Sequence, residues 1–504
     1  MPGRRSQSSA REPLGQRRYE WVALSVTTVG ALLATLQSSS LVIALPNMLT
    51  ELRASFLTMM WVLLAYLLIT TALVPVVGRL ADIFGRKNLY AAGFAVFSLA
   101  SLLAGLAQPG FNGWDLVAYR ILQGVGGALL ITDGTAIVAD AFRHRRIGLG
   151  LGVNQVASAA GFLLGPVVGG VLTAISWRFV FLVNVPLGLF GTVWSIWRLG
   201  EPVRLPAHQQ FDWLGSLTFV IGLGSLLMAL SLSAFPTLPA AAVEAMLVVG
   251  VLGLIGFVPA ELKSTEPMLD VRLFGDRLFG FASLARGLNS VARGAVLFVL
   301  IFFLQGPYGK DPLIAGLMMT PFGAALLLVG PVSGYLSDRY GSRILATAGL
   351  LISAVGLLGL SLVGATTPYW LLAVYMVVIG GGAGLFTAPN ASALMGSVPS
   401  RRRGMAAGIN TMIANSGQML SLAVAFPLVL SRIPHDVLMK VFLYGGGMGD
   451  VPLALQAFEQ GMHQVFLASF AITLVAAVAS ALRPSQSPRD RNRPGLTQRG
   501  HGGD

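Results

Sequence analysis

Long apolar runs are the feature that most limits what this chain can fold into. Two of them read MMWVLLAYLLITTALVPVVG (59–78) and AVLFVLIFFL (295–304). About 20 consecutive apolar residues in a helix match the thickness of a bilayer core. The 504 residues are 55% hydrophobic and 11% charged, whereas soluble proteins carry about 25% charged residues. The sequence therefore predicts an all-α membrane protein with many spans.

The polar residues exclude several classes of function. A net charge of +13 could suggest a nucleic-acid partner, but the cations are scattered among short loops instead of forming one basic patch. There are no cysteines, and no pair of the five histidines has the spacing of metal ligands. The single GK dipeptide, Gly309-Lys310, lacks the following Ser or Thr of a phosphate-binding loop. We therefore expect no nucleic acid, no metal, no cofactor and no enzymatic activity.

Fourteen spans are predicted from the apolar runs. They lie near 21–44, 57–77, 89–107, 114–140, 148–173, 179–197, 212–234, 240–260, 278–304, 312–336, 344–363, 369–395, 404–430 and 463–482. Of the 34 Arg and Lys residues, 26 fall in the tails and in the loops on the side of the N-terminus, 5 fall in the opposite loops and 3 lie within spans. Basic residues favour the cytoplasmic side, so both termini are predicted to be cytoplasmic.

An internal repeat divides the chain into two halves. The segment GRLADIFGRK (78–87) recurs as GYLSDRYGSR (334–343), and each copy follows the second span of a six-span block. Internal repeats of this kind are typical of secondary transporters, in which two halves rock about a central site. The predicted domains are an N-terminal cytoplasmic tail (1–20), a first half (21–198), a linker with two extra spans (199–264), a second half (265–482) with an external loop (431–462), and a disordered cytoplasmic tail (483–504).

Several motifs resemble those of the major facilitator superfamily, in the branch of fourteen-span drug:proton antiporters. GRLADIFGRK resembles the loop between helices 2 and 3, YRILQGVGGALL (119–130) a helix 4 motif, and GFLLGPVVGG (161–170) the helix 5 antiporter motif. SWRFVFLVNVPLG, EPMLDVRLF and SVPSRRRGMAAGI also resemble segments of this branch. The resemblance implies the major facilitator fold, here two six-helix halves plus two extra transmembrane helices.

The resemblance also implies roles for individual residues. The gating-loop candidates are Gly78, Asp82, Gly85, Arg86 and Asp338, and a static ion pair that holds the loop is the alternative to a latch. The helix 4 candidates for the substrate cavity are Arg120 and Gln123. The antiporter motif places Gly161, Gly165, Pro166, Gly169 and Gly170 on helix 5, where small residues permit close helix packing.

One departure from the branch concerns the proton site. Helix 1 usually carries a carboxylate where this chain has Gln37, in LQSSSLVIALP (36–46), and a glutamine does not titrate. An ionisable residue inside a span is a functional candidate, which makes Asp133 on helix 4 the candidate for proton coupling. A structural, hydrogen-bonded or ion-paired role is the alternative.

A polar stripe interrupts the ninth span. Arg286, Asn289, Ser290 and Arg293 follow the i, i+3, i+4, i+7 spacing of one helical face. Lipid-facing arginines at the bilayer centre are costly, so we expect the stripe to face water or protein. The resemblance makes the first and ninth spans the opening helices of the two halves, and it implies that Gln37 and the four stripe residues line a central cavity. The alternative for Arg286 alone is that its long side chain reaches the inner membrane interface.

These observations favour a monomeric secondary transporter of the plasma membrane that exports small amphipathic or lipophilic compounds by alternating access and couples export to protons. An exporter of an anionic metabolite or lipid, with atypical or absent proton coupling, is the alternative. A receptor or scaffold that does not transport is a more remote one.

Overall fold

The structure is a computed structural model that describes residues 14–142, 147–200, 213–232, 239–264, 271–398, 403–430 and 452–484. Within these ranges every regular element is helical. The α-helices are α1 (Leu14–Glu51), α2 (Phe56–Phe84), α3 (Arg86–Gly105), α4 (Trp114–Ala141), α5 (Ile147–Ile175), α6 (Phe179–Leu182), α7 (Asn184–Arg198), α8 (Trp213–Leu232), α9 (Ala240–Lys263), α10 (Arg277–Gly294), α11 (Val296–Gln305), α12 (Pro312–Met318), α13 (Thr320–Tyr340), α14 (Ser342–Leu360), α15 (Tyr369–Gly396), α16 (Arg403–Leu430) and α17 (Pro452–Leu482).

The prediction of a helical membrane protein is confirmed. Twelve helices or consecutive helix pairs among the described residues are long and apolar enough to cross a bilayer, and Leu214–Leu230 of α8 is a shorter apolar helix. All the predicted spans coincide with helices, although α17 begins at Pro452 and so includes part of the segment that was expected to be a loop. The first helix likewise begins at Leu14, inside the predicted tail.

Three predicted spans are each divided into two consecutive helices. The span 278–304 breaks at Ala295, between α10 and α11, and 312–336 breaks at Met319, just before Pro321. The third break, at Val183, precedes Pro186 in α7. Proline has no N–H group to donate to the preceding turn, which accounts for the second and third breaks. The break at Ala295 has no proline and lies beside Arg293.

The helix ends define two faces of the bundle. We call the face where α1 begins and α17 ends the tail face, and the opposite one the far face. At the tail face the Tyr19 hydroxyl donates to the Gly200 carbonyl, over 3.1 Å. At the far face the backbone N–H of Ala365 donates to Glu459 Oε1 over 2.6 Å. The first contact places the start of α1 beside the end of α7, and the second places the connection between α14 and α15 beside the start of α17.

The apolar core is shared between the halves at the far face. The largest cluster joins residues 41–52, at the end of α1, and the far end of α2 to the α11 segment 298–304 and to Met318 and Met319. Its first-half members lie toward the far face or the middle, whereas its second-half members extend to the tail face, for example Leu394 and Ala406. Three smaller clusters lie closer to the tail face, and each belongs to one half: two contain only first-half residues, and the third only second-half residues. The halves are therefore held together mainly through their far ends and middles.

Two helices lie between the halves in sequence. Helices α8 and α9 pack closely on each other, because a methyl group at Gly222 would lie 2.8 Å from the Leu254 nitrogen. Helix α8 also packs against α2 of the first half and α16 of the second. Only 11% of the apolar window of α9 is buried, so α9 lies on the outside of the bundle.

Candidate functional site

The polar stripe of α10 faces away from the outer surface. Leu284, on the same helix, is 50% exposed. Arg293 follows it by nine residues, which corresponds to a rotation of about 180° around the helix. Asn289 and Ser290 are buried, and Nε and Nη1 of Arg286 and Nη1 of Arg293 are also shielded by protein. Since two nitrogens of Arg286 are enclosed, the structure does not favour the alternative in which this side chain runs along the outside to the membrane interface.

Helix α16 forms one wall beside this stripe. A methyl group at Gly417 would lie 2.8 Å from Cβ of Ser290, and one at Gly294 would lie 2.7 Å from Cβ of Ser421. These close approaches fix α10 and α16 against each other and leave the arginines on the neighbouring face. Oδ1 of Asn410, also on α16, is buried without a hydrogen-bond partner in the described part of the chain.

The helix break next to Arg293 is stabilised from outside the helix. The backbone N–H of Ala295 donates to Oγ of Ser421 over 2.9 Å. Within the membrane an irregular backbone is tolerated where it is buried in protein or lines a cavity. Arg293 lies in the last turn of α10, where the partial negative charge of the helix end favours a cation.

Arg120 and Gln123 form a separate buried cluster. Arg120 Nε donates to the Val62 carbonyl over 2.9 Å, its Nη1 donates to Gln123 Oε1, and Gln123 Nε2 donates to Ser101 Oγ over 2.7 Å. The Arg120 guanidinium also lies over the Tyr66 ring, 4.3 Å from its centre. The cluster joins α2, α3 and α4 within the first half, and the structure does not bring it together with the stripe on α10.

Gln37 is fully buried between helices of the first half. Its Oε1 accepts a hydrogen bond of 2.5 Å from Nδ2 of Asn184 on α7. Nε2 of Gln37 and Oδ1 of Asn184 have no hydrogen-bond partner among the described residues. The structure thus places Gln37 against α7, and its contact with a substrate stays a prediction.

Asp133 is also fully buried in the first half. It is close enough to Tyr90 of α3 to interact with it electrostatically, and the Tyr90 ring packs beside Gly134. This position separates Asp133 from α10, and a pairing with Arg286 is not found among the described ion pairs. Its role in proton coupling stays a prediction.

The repeated loops have matching backbones. Gly85 and Gly341 each separate two consecutive helices, with φ of 89° and 86°, and each donates its N–H to a carbonyl four residues earlier over 3.0 Å. Positive φ favours glycine because it has no Cβ. Arg86 forms an ion pair of 2.5 Å with Asp140 at the end of α4. The side chains of Asp82 and Asp338, and the surroundings of Gly78, lie outside what the structure describes.

The helix 5 motif packs in two directions. Gly161, Gly165 and Gly169 face α1, and a methyl group at Gly169 would lie 2.6 Å from the Ser40 carbonyl oxygen. Gly170 faces α12 of the other half, where its methyl group would lie 2.7 Å from the Pro312 carbonyl oxygen. The Pro166 carbonyl contacts the α12 backbone at Gly316. The motif therefore forms a seam between the two halves.

Two far-face contacts were not predicted from the sequence. Gln305 Nε2 donates to the Ile43 carbonyl over 3.3 Å and so joins the two halves. Within the first half, Glu51 pairs with Arg178 and accepts a 2.6 Å hydrogen bond from Trp177 Nε1. The only sequence signal for the second contact was the presence of Trp177 and Arg178 in a recognised motif.

Arg483 was assigned to the disordered tail, but it is fully buried. Its guanidinium donates to Oδ1 of Asn390 over 3.1 Å and to the Ser342 carbonyl, and Asn390 in turn donates to the Ala282 carbonyl over 3.1 Å. Burial, and more weakly the charge of Arg343, lowers the pKa of Arg483 to about 10. It still carries a charge at neutral pH and ties four helices of the second half together at the tail face.

Comparison with known proteins agrees with this geometry. The sequence profile of the Major Facilitator Superfamily matches residues 27–260 and 282–501. The riboflavin transporter RibZ of Clostridioides difficile is 30% identical over 410 residues, which cover 81% of this chain and 87% of RibZ. The tetracenomycin C resistance and export protein of Streptomyces glaucescens is 26% identical and covers 83% of this chain and 78% of its own length.

A solved structure shows the same fold. A bacterial homologue of the human lysosomal transporter Spinster, in an inward-facing and unoccupied conformation, superposes with a TM-score of 0.65 at 16% sequence identity. The superposition covers 92% of this chain and 96% of that one. With the repeated loops, the two-half bundle and the sequence profile in agreement, this chain belongs to the major facilitator superfamily.

Proposed function

We propose that this protein is a secondary active exporter of small amphipathic or lipophilic compounds. It works by alternating access and is driven by inward proton flow across the plasma membrane. The observation that supports this best is the distribution of contacts between the halves. They share one apolar cluster, whose first-half members all lie toward the far face or the middle, whereas the smaller clusters toward the tail face belong to one half each. A transporter that alternates holds its halves together at one face at a time.

The proposed topology has fourteen spans, as in the drug:proton antiporter branch. It adds α8 and α16 to the twelve long apolar helices and assigns the tail face to the cytoplasm, because the basic residues concentrate there. The chain contains no cysteine, so single cysteines can be labelled cleanly. A cysteine at residue 440 should react from outside the cell and one at residue 402 from inside, and the reverse pattern would contradict the topology.

Proton coupling in this proposal depends on Asp133, because Gln37 replaces the usual helix 1 carboxylate. The second candidate function is export of an anionic metabolite or lipid with atypical or absent proton coupling, and the arginines of α10 favour it. A receptor or scaffold function would need a large soluble module. Its one sizeable candidate, 431–462, is partly helical, because α17 begins at Pro452.

Transport by purified protein in liposomes tests the function. An imposed pH gradient should drive accumulation of at least one compound from a panel of cationic, neutral and anionic amphiphiles of similar size. Collapse of the gradient with an ionophore should abolish that accumulation while leaving exchange intact. Transport is measured with the pH gradient in each direction and also in exchange mode. If under none of these conditions any compound of the panel moves faster than in protein-free liposomes, the proposal is wrong.

A further inference from the structure

The stripe on α10 contains buried hydrogen-bond donors that have no partner among the described residues. Nε and Nη1 of Arg286, Nη1 of Arg293 and Nδ2 of Asn289 are all buried without a hydrogen-bond partner in the described part of the chain. Asn289 is only 3% exposed. All four atoms are donors, and burying donors without acceptors is unfavourable, above all for charged groups. These donors are therefore unpaired in the described part of the chain, and the acceptor oxygens of a suitable ligand would pair with them.

The helices around α10 supply no counter-charge. It packs against α15, α16 and α17, and neither α15, α16 nor α10 itself contains an Asp or Glu. The one acid of α17, Glu459, binds the backbone of Ala365 at the far face. Asp276, which precedes α10, accepts a 2.8 Å hydrogen bond from the N–H of Phe279 as a helix cap. Arg286 and Arg293 also repel each other electrostatically.

The position of the stripe fits a ligand site. The span Arg277–Gln305 has 29 residues. Arg293 is the seventeenth of them, close to the middle, and the break at Ala295 follows two residues later. In secondary transporters, discontinuous helices near the bilayer midplane are typical of binding sites. Arg293 is next to this break, and Arg286 lies seven residues, or about 10 Å along the axis, nearer to the tail face.

We propose that Arg286, Asn289 and Arg293 bind the anionic group of the transported substrate, a carboxylate, sulfonate or phosphate. This inference rests on the proposed function and specifies its substrate class. Such a group offers several acceptor oxygens, and guanidinium groups bind them with charge-assisted, often bidentate hydrogen bonds. The anion also relieves the repulsion between the two arginines. The Asn289 amide adds a neutral donor between them.

Binding by the detergent-purified full chain tests the site without relying on transport. Three probes of equal size are compared: naphthalene-2-sulfonate, 2-naphthylmethanol and 2-naphthylmethylammonium. The sulfonate should bind at least about tenfold more tightly than the alcohol, and the ammonium more weakly than both, as expected for charge-assisted recognition. Similar affinities for the three probes would overturn the proposal.

Variants assign the preference to residues. Arg293→Ala should lose most of the preference for the sulfonate and keep the affinity for the alcohol, whereas Arg293→Lys should keep part of it because lysine lacks the planar fork. Arg277→Ala is the matched control, since Arg277 is exposed at the start of the same helix. An unchanged preference in both Arg286→Ala and Arg293→Ala would contradict the site. If Arg293→Ala does not fold, Arg293→Lys and Arg286→Ala are used in its place. A reduced preference for the sulfonate in these two variants supports the site, and an unchanged preference in both contradicts it.

An anionic lipid headgroup offers the same chemistry as a free anion, so a second arm separates the two. The measurement is repeated with phosphatidylglycerol added and with phosphatidylcholine added. If neither lipid changes the affinity for the sulfonate, the result supports a substrate site. If phosphatidylglycerol abolishes sulfonate binding and phosphatidylcholine does not, the stripe binds lipid and the proposal is overturned. Sulfonate binding by a protein that transports nothing would contradict the proposed function and leave the anion site intact.

Discussion

Gly85 and Gly341 adopt nearly the same positive-φ backbone, with φ of 89° and 86°, at equivalent points of the two halves. Each lies between two consecutive helices, and each donates its N–H to the carbonyl four residues earlier. The repeat in the sequence is therefore also a repeat of backbone geometry. It gives both halves the same tight connection at the tail face.

Alanine at either position should destabilise the protein. A residue with a Cβ in this conformation costs about 1–3 kcal/mol, so Gly85→Ala and Gly341→Ala should each lower the unfolding temperature in detergent. Gly256→Ala is the control, because its methyl group meets no atom within 4 Å and its helix is regular. If both loop variants unfold at the same temperature as the control, the claim that the backbone at these two positions requires glycine is wrong.

The helix 5 motif predicts two different phenotypes from similar substitutions. Gly165→Ala would insert a methyl group against Ser39 of α1 within one half and should lower thermal stability. Gly170→Ala would insert one 2.7 Å from the Pro312 carbonyl oxygen of the other half, and should impair transport with a smaller loss of stability because it disturbs only the seam. The unfolding temperature and the transport rate are measured for both variants. If both substitutions change these two quantities to the same extent, the seam between the halves is contradicted.

The sequence predicted the fold well because its signals are local. Apolar length, the Arg and Lys distribution, the GRLADIFGRK repeat and the stripe on α10 are all readable within short windows. The break at Ala295 was not predicted, since it depends on Gly294 packing against α16 and on Ser421, more than 120 residues away, binding the freed N–H.

The remaining differences also come from distant contacts. The hydrogen bond between Gln37 and Asn184 was not predicted, because Asn184 lies 147 residues away on α7; the place of Gln37 in the cavity stays a prediction. Arg483 looked like a tail residue, because nothing near it in sequence reveals that it binds Asn390 and Ser342. Polar residues of a membrane bundle can face the cavity or another helix of the same half, and local periodicity does not distinguish between these two positions.

Asp82→Asn should reduce transport strongly while leaving folding intact. In the latch interpretation the lost charge-assisted contact is worth about 1.5–3 kcal/mol in one conformation only. Asp140→Asn is the comparison: its partly exposed ion pair with Arg86 is expected to contribute less than about 1 kcal/mol to stability. Transport at the normal rate by Asp82→Asn would favour a static role for the loop.

Asp133→Asn should uncouple transport from protons. The variant should lose pH-driven accumulation in liposomes and keep substrate binding and substrate exchange, because asparagine preserves the shape and does not titrate. Exchange measured on the same preparation is the internal control. Full pH-driven accumulation by Asp133→Asn would exclude this residue as the proton carrier and leave it a structural role.

The most direct test of the account is to measure whether the two faces open alternately. Spin labels are attached to cysteines that replace Asn88 and Ile344 at the tail face, and in a second protein Gln108 and Thr366 at the far face; all four positions are exposed. Distances within each pair are measured in liposomes, with and without a transported compound and a pH gradient. Alternating access predicts that the tail-face distance shortens under the same conditions in which the far-face distance lengthens. Two distances that stay fixed, or that change in the same direction, would contradict it.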